Sequence, residues 1–120
     1  MDQPDFVLLV NGIPYGNEAP SLAYLFAAEA VQRYRVKAVF FYEDGVLNAQ
    51  KYTSPASDET DLVLLWSELA LEHKIRLIVC SSAGERRGVR KETVKTGFET
   101  GSLSDLALFL SEGCRMVQFR

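Results

Sequence analysis

The feature that most constrains this chain is a series of short, dense apolar runs of strand length, separated by stretches with helical character. FVLLV (6–10) stops at Asn11-Gly12, and VKAVFFYE (36–43) is β-branched and aromatic. IRLIVC (75–80) and CRMVQF (114–119) complete the set, and all four read as strands. Between them, SLAYLFAAEAVQRYR (21–35), TDLVLLWSELALEH (60–73) and SLSDLALFLSEG (102–113) read as helices. Strands alternating with helices imply an α/β domain with a mainly parallel sheet and helices on both faces. A further short strand has room between residues 90 and 101.

Bulk properties narrow the function. At 120 residues the chain fits one domain, 1–120, and its 48% hydrophobic content is that of an ordinary globular protein. A net charge of −3 carries no basic excess of the kind that marks nucleic-acid or anionic-membrane binders. The segment MDQPDFVLLVNG has no basic n-region and reads as no signal peptide, and no apolar stretch approaches the ~20 residues of a membrane span. Two cysteines, Cys80 and Cys114, are too few for a disulfide scaffold, so the expectation is a cytoplasmic protein with reduced thiols.

Local signals place the elements. Ser21 is the expected N-cap of the first helix, whose buried face is expected to carry Tyr24, Leu25, Ala28 and Val31, with Leu22 and Phe26 widening it. Residues 44–59 read as a long loop, a length that is uncommon in compact domains and often functional. Thr60 or Asp61 caps the second helix, and Gly113 stops the last one.

The chemistry-bearing stretch is RLIVCSSAGERRGV (76–89), where a strand ends in Cys80 and is followed at once by Ser81, Ser82, Gly84, Arg86 and Arg87. In open parallel sheets, ligands bind outside the carboxyl ends of the strands, near the point where strand order reverses. If the first and third strands flank that point, Cys80 sits beside Tyr15 and Gly16 of the loop NGIPYG. SSAGERRG can open a helix whose free N–H groups favour a thiolate, with Arg86 and Arg87 adding charge and Glu85 opposing them. The competing reading is a buried, inert strand-end cysteine, with the arginines on a solvated surface or in salt bridges. Cys114 reads as a small core residue; a resolving role would need it near Cys80.

The remaining candidates carry less. His73 stands at the end of the second helix, at the opposite end of the third strand from Cys80, so a Cys–His dyad is disfavoured. One histidine and two separated cysteines match no metal-site spacing. NGIPYG lacks the phosphate-binding glycine patterns. Trp66 and its neighbouring leucines read as core, and Asp58 and Glu59 as capping or solvating groups.

VFFYEDGVLNA (39–49), TSPASDETDLVLLW (53–66) and CSSAGERRGV (80–89), in this order and spacing, resemble the DsrE/DsrF-like sulfurtransferase family, nearest its TusD/DsrE subunit type. YG at 15–16, GF at 97–98 and VQF at 117–119 also fit, so the resemblance spans nearly the whole chain. It implies a flavodoxin-like three-layer α/β sandwich and a persulfide-carrying cysteine at Cys80. It also implies no cofactor, a TusA-type sulfur donor and a TusE- or DsrC-type acceptor. Two related subunits would complete a heterohexamer. The relay would serve 2-thiouridine formation on tRNA or, in the DsrE branch, sulfur oxidation, with no stable nucleic-acid binding by this subunit. Two departures stand out: RKETVKT is shorter than the family's usual insertion before GF, and the usual SGL element reads GSL. Other readings are a non-catalytic assembly subunit and a binder of a small anion at the strand ends.

Overall fold

The computed structural model describes residues 4–120; residues 1–3 of the expected domain lie outside the described residues. Five strands form one parallel sheet: β1 (Asp5–Val10), β2 (Arg35–Phe41), β3 (Arg76–Cys80), β4 (Phe98–Gly101) and β5 (Arg115–Phe119). The helices are α1 (Ala19–Ala30), α2 (Leu62–His73), α3 (Ser81–Arg86) and α4 (Leu103–Ser111). The α/β class, the parallel sheet and the extra short strand within 90–101 are as expected from the sequence.

The strand order is β4-β3-β2-β1-β5. The chain steps one way from β1 to β4, then crosses back to lay β5 against the other side of β1. Right-handed crossovers therefore put α1 and α2 on one face and α4 on the other. The order corrects one expectation. β1 and β3 are separated by β2, and the reversal point lies between β1 and β5. Strand pairing is non-local, and the apolar runs alone do not encode which neighbour each strand takes.

The first helix also differs in detail. It begins at Ala19 with Pro20 in its first turn, where a missing N–H costs nothing, so Ser21 is inside the helix rather than its cap. Asn17 Oδ1 accepts from the Ala19 N–H at 2.7 Å instead. The buried stripe is Ala23, Ala27 and Ala30, whereas Leu25 is 62% exposed. Small side chains let the helix backbone approach the sheet, and the larger apolar groups are left at its flanks.

Residues 44–49 are not loop, and Glu43 does not end the second strand, which stops at Phe41. The segment Glu43–Ala49 forms a 3-10 helix lying across the ends of β2 and β3. Gly45 permits this: a Cβ there would run into the Val10 carbonyl. Asn48, fully buried, donates from Nδ2 to the carbonyls of Gly12 (3.0 Å) and Gly45 (2.9 Å), tying the segment to the β1–α1 loop. Beneath it, Trp66 is fully buried and meets Tyr24 and Phe41 edge-on at 5.4 and 5.5 Å. Asp61 caps α2, its carboxylate accepting from the Leu64 N–H at 3.1 Å. Gly113, at φ 93°, follows the end of α4 as expected.

Candidate functional site

Cys80 is the last residue of β3 and the N-cap residue of α3. The abrupt change from strand to helix at this point leaves the thiol at the carboxyl edge of the sheet, 4% exposed. Its partner across the ladder is Gly101, the last residue of β4. A side chain at Gly101 would collide with Asp105 Oδ2 and Ile78 Cγ2 at 2.5 and 2.7 Å, so only glycine lets α4 begin this close to β3. Asp105 in turn accepts from the Ser102 N–H at 2.8 Å, fixing the start of α4. The GSL departure thus supplies the glycine beside Cys80 and the capping serine after it.

Ser81 and Ser82 are exposed beside the thiol, and Ser81 Oγ donates to the Gly101 carbonyl at 2.9 Å, lacing α3 to β4. The first N–H groups of α3 have no acceptor within the helix and cluster at its Cys80 end. The helix is only six residues long, so these local groups, rather than a long dipole, set the potential there.

The two arginines separate into different roles. Arg87 Nε meets Asp44 Oδ1 at 2.9 Å and its Nη1 donates to the Ala83 carbonyl at 2.9 Å. Its charge is committed to holding α3 against the 3-10 helix, which corrects the expectation that it faces an anion. Arg86 is exposed, with no hydrogen-bond or ion-pair partner among the described residues. Asp44 and Asn48 were not singled out from the sequence. Both sit within EDGVLNA, and their partners are far away along the chain, so no local signal marks them.

Tyr15 and Gly16 belong to the loop after β1, two strands across the sheet from Cys80. Tyr15 OH donates to the Thr60 carbonyl at 2.9 Å, and burial, with the Asp61 and Glu59 carboxylates adding to it, holds its phenol above the usual value. It is a protonated structural donor at neutral pH. Gly16 lines a polar crevice of about 510 Å³ with Asn11, Asn17, Glu43 and Arg120, at the β1/β5 reversal point. The physical reason is the strand order: β2 stands between the NGIPYG loop and Cys80.

Cys114 and His73 lie toward the other edge. Val79, Phe41, Val10 and Phe119 are level across the sheet, which puts Cys80 level with Arg120. Cys114 is then about 20 Å lower along the strands and about 14 Å across, from strand rise and spacing. A bridge between the two sulfurs needs Cα atoms within about 7 Å, so Cys114 is no resolving partner for Cys80. Cys114 is 8% exposed, and burial pushes its thiol pKa up, with Lys37 opposing and Asp5 reinforcing.

The DsrE/DsrF-like family model matches residues 5–119. This chain is a member of the DsrE/DsrF-like family. Among its relatives, the sulfurtransferase TusD homolog of Aliivibrio fischeri is 41% identical over 124 residues, covering 93% of this chain and 95% of that protein. Sulfurtransferase TusD of Sodalis glossinidius is 41% identical over 128 residues, covering 96% and 98%. The same fold is found in the crystal structure of the Escherichia coli ychN protein, with TM-score 0.85 at 21% identity over 98% of this chain and all of that one. A protein of unknown function from Methanobacterium thermoautotrophicum matches with TM-score 0.72 at 16% identity, over 97% of this chain and 99% of that one. The chain is thus a homologue of sulfurtransferase TusD over nearly its whole length.

Proposed function

We propose that this DsrE-family chain is the persulfide-carrying subunit of a cytoplasmic sulfur relay, with Cys80 as the carrier. The observation that carries the reading is the position of Cys80 at the β3–α3 junction, on the carboxyl edge where open parallel sheets bind their ligands. The Cys80 thiolate attacks the outer sulfur of a donor persulfide. The donor S–S bond breaks, a new one forms on Cys80, and the donor leaves as a thiolate. The transfer is redox-neutral and needs no cofactor. The reverse arrangement passes the outer sulfur to an acceptor cysteine. The free N–H groups of α3 and the Arg86 guanidinium stabilise the anionic sulfur, and exposed Ser81 and Ser82 line the approach.

A TusA-type donor, a TusE-type acceptor and 2-thiouridine formation on tRNA follow from similarity to relatives named sulfurtransferase TusD, which favours that branch over DsrC-linked sulfur oxidation. Among the described residues no helix is long and apolar enough to cross a membrane. Assembly with related subunits would cover apolar surface that this chain leaves open, including Leu103, Leu108 and Leu110 on α4 and Met116 on β5. The test is transfer of labelled sulfur from a persulfidated TusA-type carrier to a TusE-type acceptor through the assembled complex. Cys80→Ser is expected to stop transfer while leaving assembly intact. Undiminished transfer through Cys80→Ser would make this chain an assembly subunit.

A further inference from the structure

The chain is acidic overall, with 16 Asp and Glu against 13 Lys and Arg, yet the segment leaving the Cys80 helix is basic. Residues 85–95 hold Arg86, Arg87, Arg90, Lys91 and Lys95 against only Glu85 and Glu92. This stretch runs from the end of α3 at the carboxyl edge back to the start of β4, along the β4 side of the sheet. It is held there rather than loose. Val89 is buried and donates to the Gly84 carbonyl at 2.9 Å, and Lys95 N–H donates to the Ala49 carbonyl at 2.8 Å.

The isolated bridge between Gln50 and Val94, with Lys51 N–H donating to the Thr93 carbonyl at 2.9 Å, brings another cation to the same flank. Lys51 lies 5.1 Å over the ring of Tyr52, which is 71% exposed. Internal neutralisation is partial. Arg87 is spent on Asp44 and Arg90 sits 3.4 Å from Glu85, whereas Lys51, Lys91 and Lys95 have no carboxylate partner among the described residues. Two acidic groups of the neighbouring loop face other partners: Asp61 caps α2, Glu59 accepts from the Ala56 N–H, and both lie by Tyr15. A fixed strip on the segment that follows the Cys80 helix, with three cations lacking a carboxylate partner, is a docking surface whose complement is negative.

We propose that the flank formed by Lys51, Arg90, Lys91 and Lys95, with Tyr52 as its exposed anchor, docks an acidic polypeptide segment that carries the exchanging cysteine of the partner protein. The inference rests on the reading of Cys80 as the persulfide carrier and adds the charge of the partner's docking segment. Like-charge partners are repelled, so the flank selects among persulfide carriers. Attraction between exposed charges acts mainly on encounter and weakens with salt.

The test uses the full chain and two synthetic cysteine-persulfide peptides, identical except that Glu or Lys residues flank the cysteine. A small uncharged alkyl persulfide is the reference. Loading of Cys80 is followed by intact mass at low and at high salt. The Glu-flanked peptide is expected to load at least tenfold faster than the Lys-flanked one at low salt, with the ratio collapsing at high salt. The triple substitution Arg90→Glu, Lys91→Glu, Lys95→Glu is expected to invert the preference while leaving loading by the alkyl persulfide within about twofold. Equal peptide rates, or a preference unchanged in the triple variant, overturn the docking proposal while alkyl loading of Cys80 keeps the relay reading. A triple variant slow with the alkyl persulfide too points to a distorted site; a peptide preference on the single variant Lys91→Glu that is unchanged from wild type then counts against docking. Failure of all three probes to load Cys80 overturns both readings.

Discussion

The two cysteines occupy opposite edges of the same sheet, and both are nearly covered. Cys80 is 4% exposed and Cys114 8%, so burial does not distinguish them. What differs is the chain around them. At the carboxyl edge, β3 ends into a six-residue helix, a 3-10 helix crosses the neighbouring strands, and Gly101 opens the start of α4. Backbone donors and serines gather at the Cys80 end of that helix. At the amino edge, Cys114 follows a helix end and enters β5, and burial drives its thiol toward the neutral form. The proposed carrier is the thiol at the carboxyl ends of the strands, where open parallel sheets place their ligands, so strand direction rather than side-chain exposure separates the two.

The largest expected effect separates the two directly. Cys80→Ser is expected to lower sulfur transfer at least 100-fold, and Cys114→Ser to leave it within twofold, measured as labelled acceptor per turnover. Comparable losses in both would erase the distinction between the edges.

The next effect is on the scaffold that serves both. Trp66→Ala removes a fully buried side chain packed on Tyr24 and Phe41 and is expected to cost about 3–5 kcal/mol in denaturant unfolding. A loss below about 1 kcal/mol would mean that the core under the 3-10 helix is not packed as described.

A smaller effect concerns the carboxyl edge alone. Asp44→Asn and Arg87→Lys each weaken the ion pair that holds α3 to the 3-10 helix. Each is expected to cost about 0.2–1 kcal/mol in stability, since the pair is partly exposed. Each should also slow Cys80 loading several-fold, with the double variant no slower than either single one. Additive losses in the double variant would show that the two side chains act separately.

The smallest effect belongs to the amino edge. The folded-state pKa of Cys114 is raised by burial, so the unfolded chain releases this proton first as pH rises. Its contribution is fully present below the unfolded thiol pKa and is lost as pH rises through the folded one. Cys114→Ala is expected to flatten the fall in stability on the alkaline side, read from unfolding midpoints at several pH values. An identical alkaline slope in the variant would place Cys114 in a less buried setting.

Much of the fold was legible because local signals carried it. The apolar runs marked β1, β2, β3 and β5, Asp61 marked the start of α2, and Gly113 the end of α4. Cys80 at a strand exit was legible for the same reason. The strand order was not, because each strand's neighbour depends on packing across the whole sheet, and this misplaced Tyr15 and Gly16 beside Cys80. The buried face of α1 was misjudged because tight helix–sheet packing prefers Ala23 and Ala27 over the larger Leu25. Arg86 and Arg87 look alike in sequence, and only the distant Asp44 tells them apart. DGVLNA reads as loop because its helix is stabilised by Asn48 bonds to Gly12 and Gly45, and by the absence of a side chain at Gly45 itself.

The most direct test is intact mass spectrometry of wild type, Cys80→Ser and Cys114→Ser after incubation with a persulfidated TusA-type donor. A gain of one sulfur, about 32 Da per chain and reversed by reductant, is expected in wild type and Cys114→Ser but not in Cys80→Ser. A gain that survives in Cys80→Ser, or no gain in wild type from a competent donor, would contradict Cys80 as the carrier.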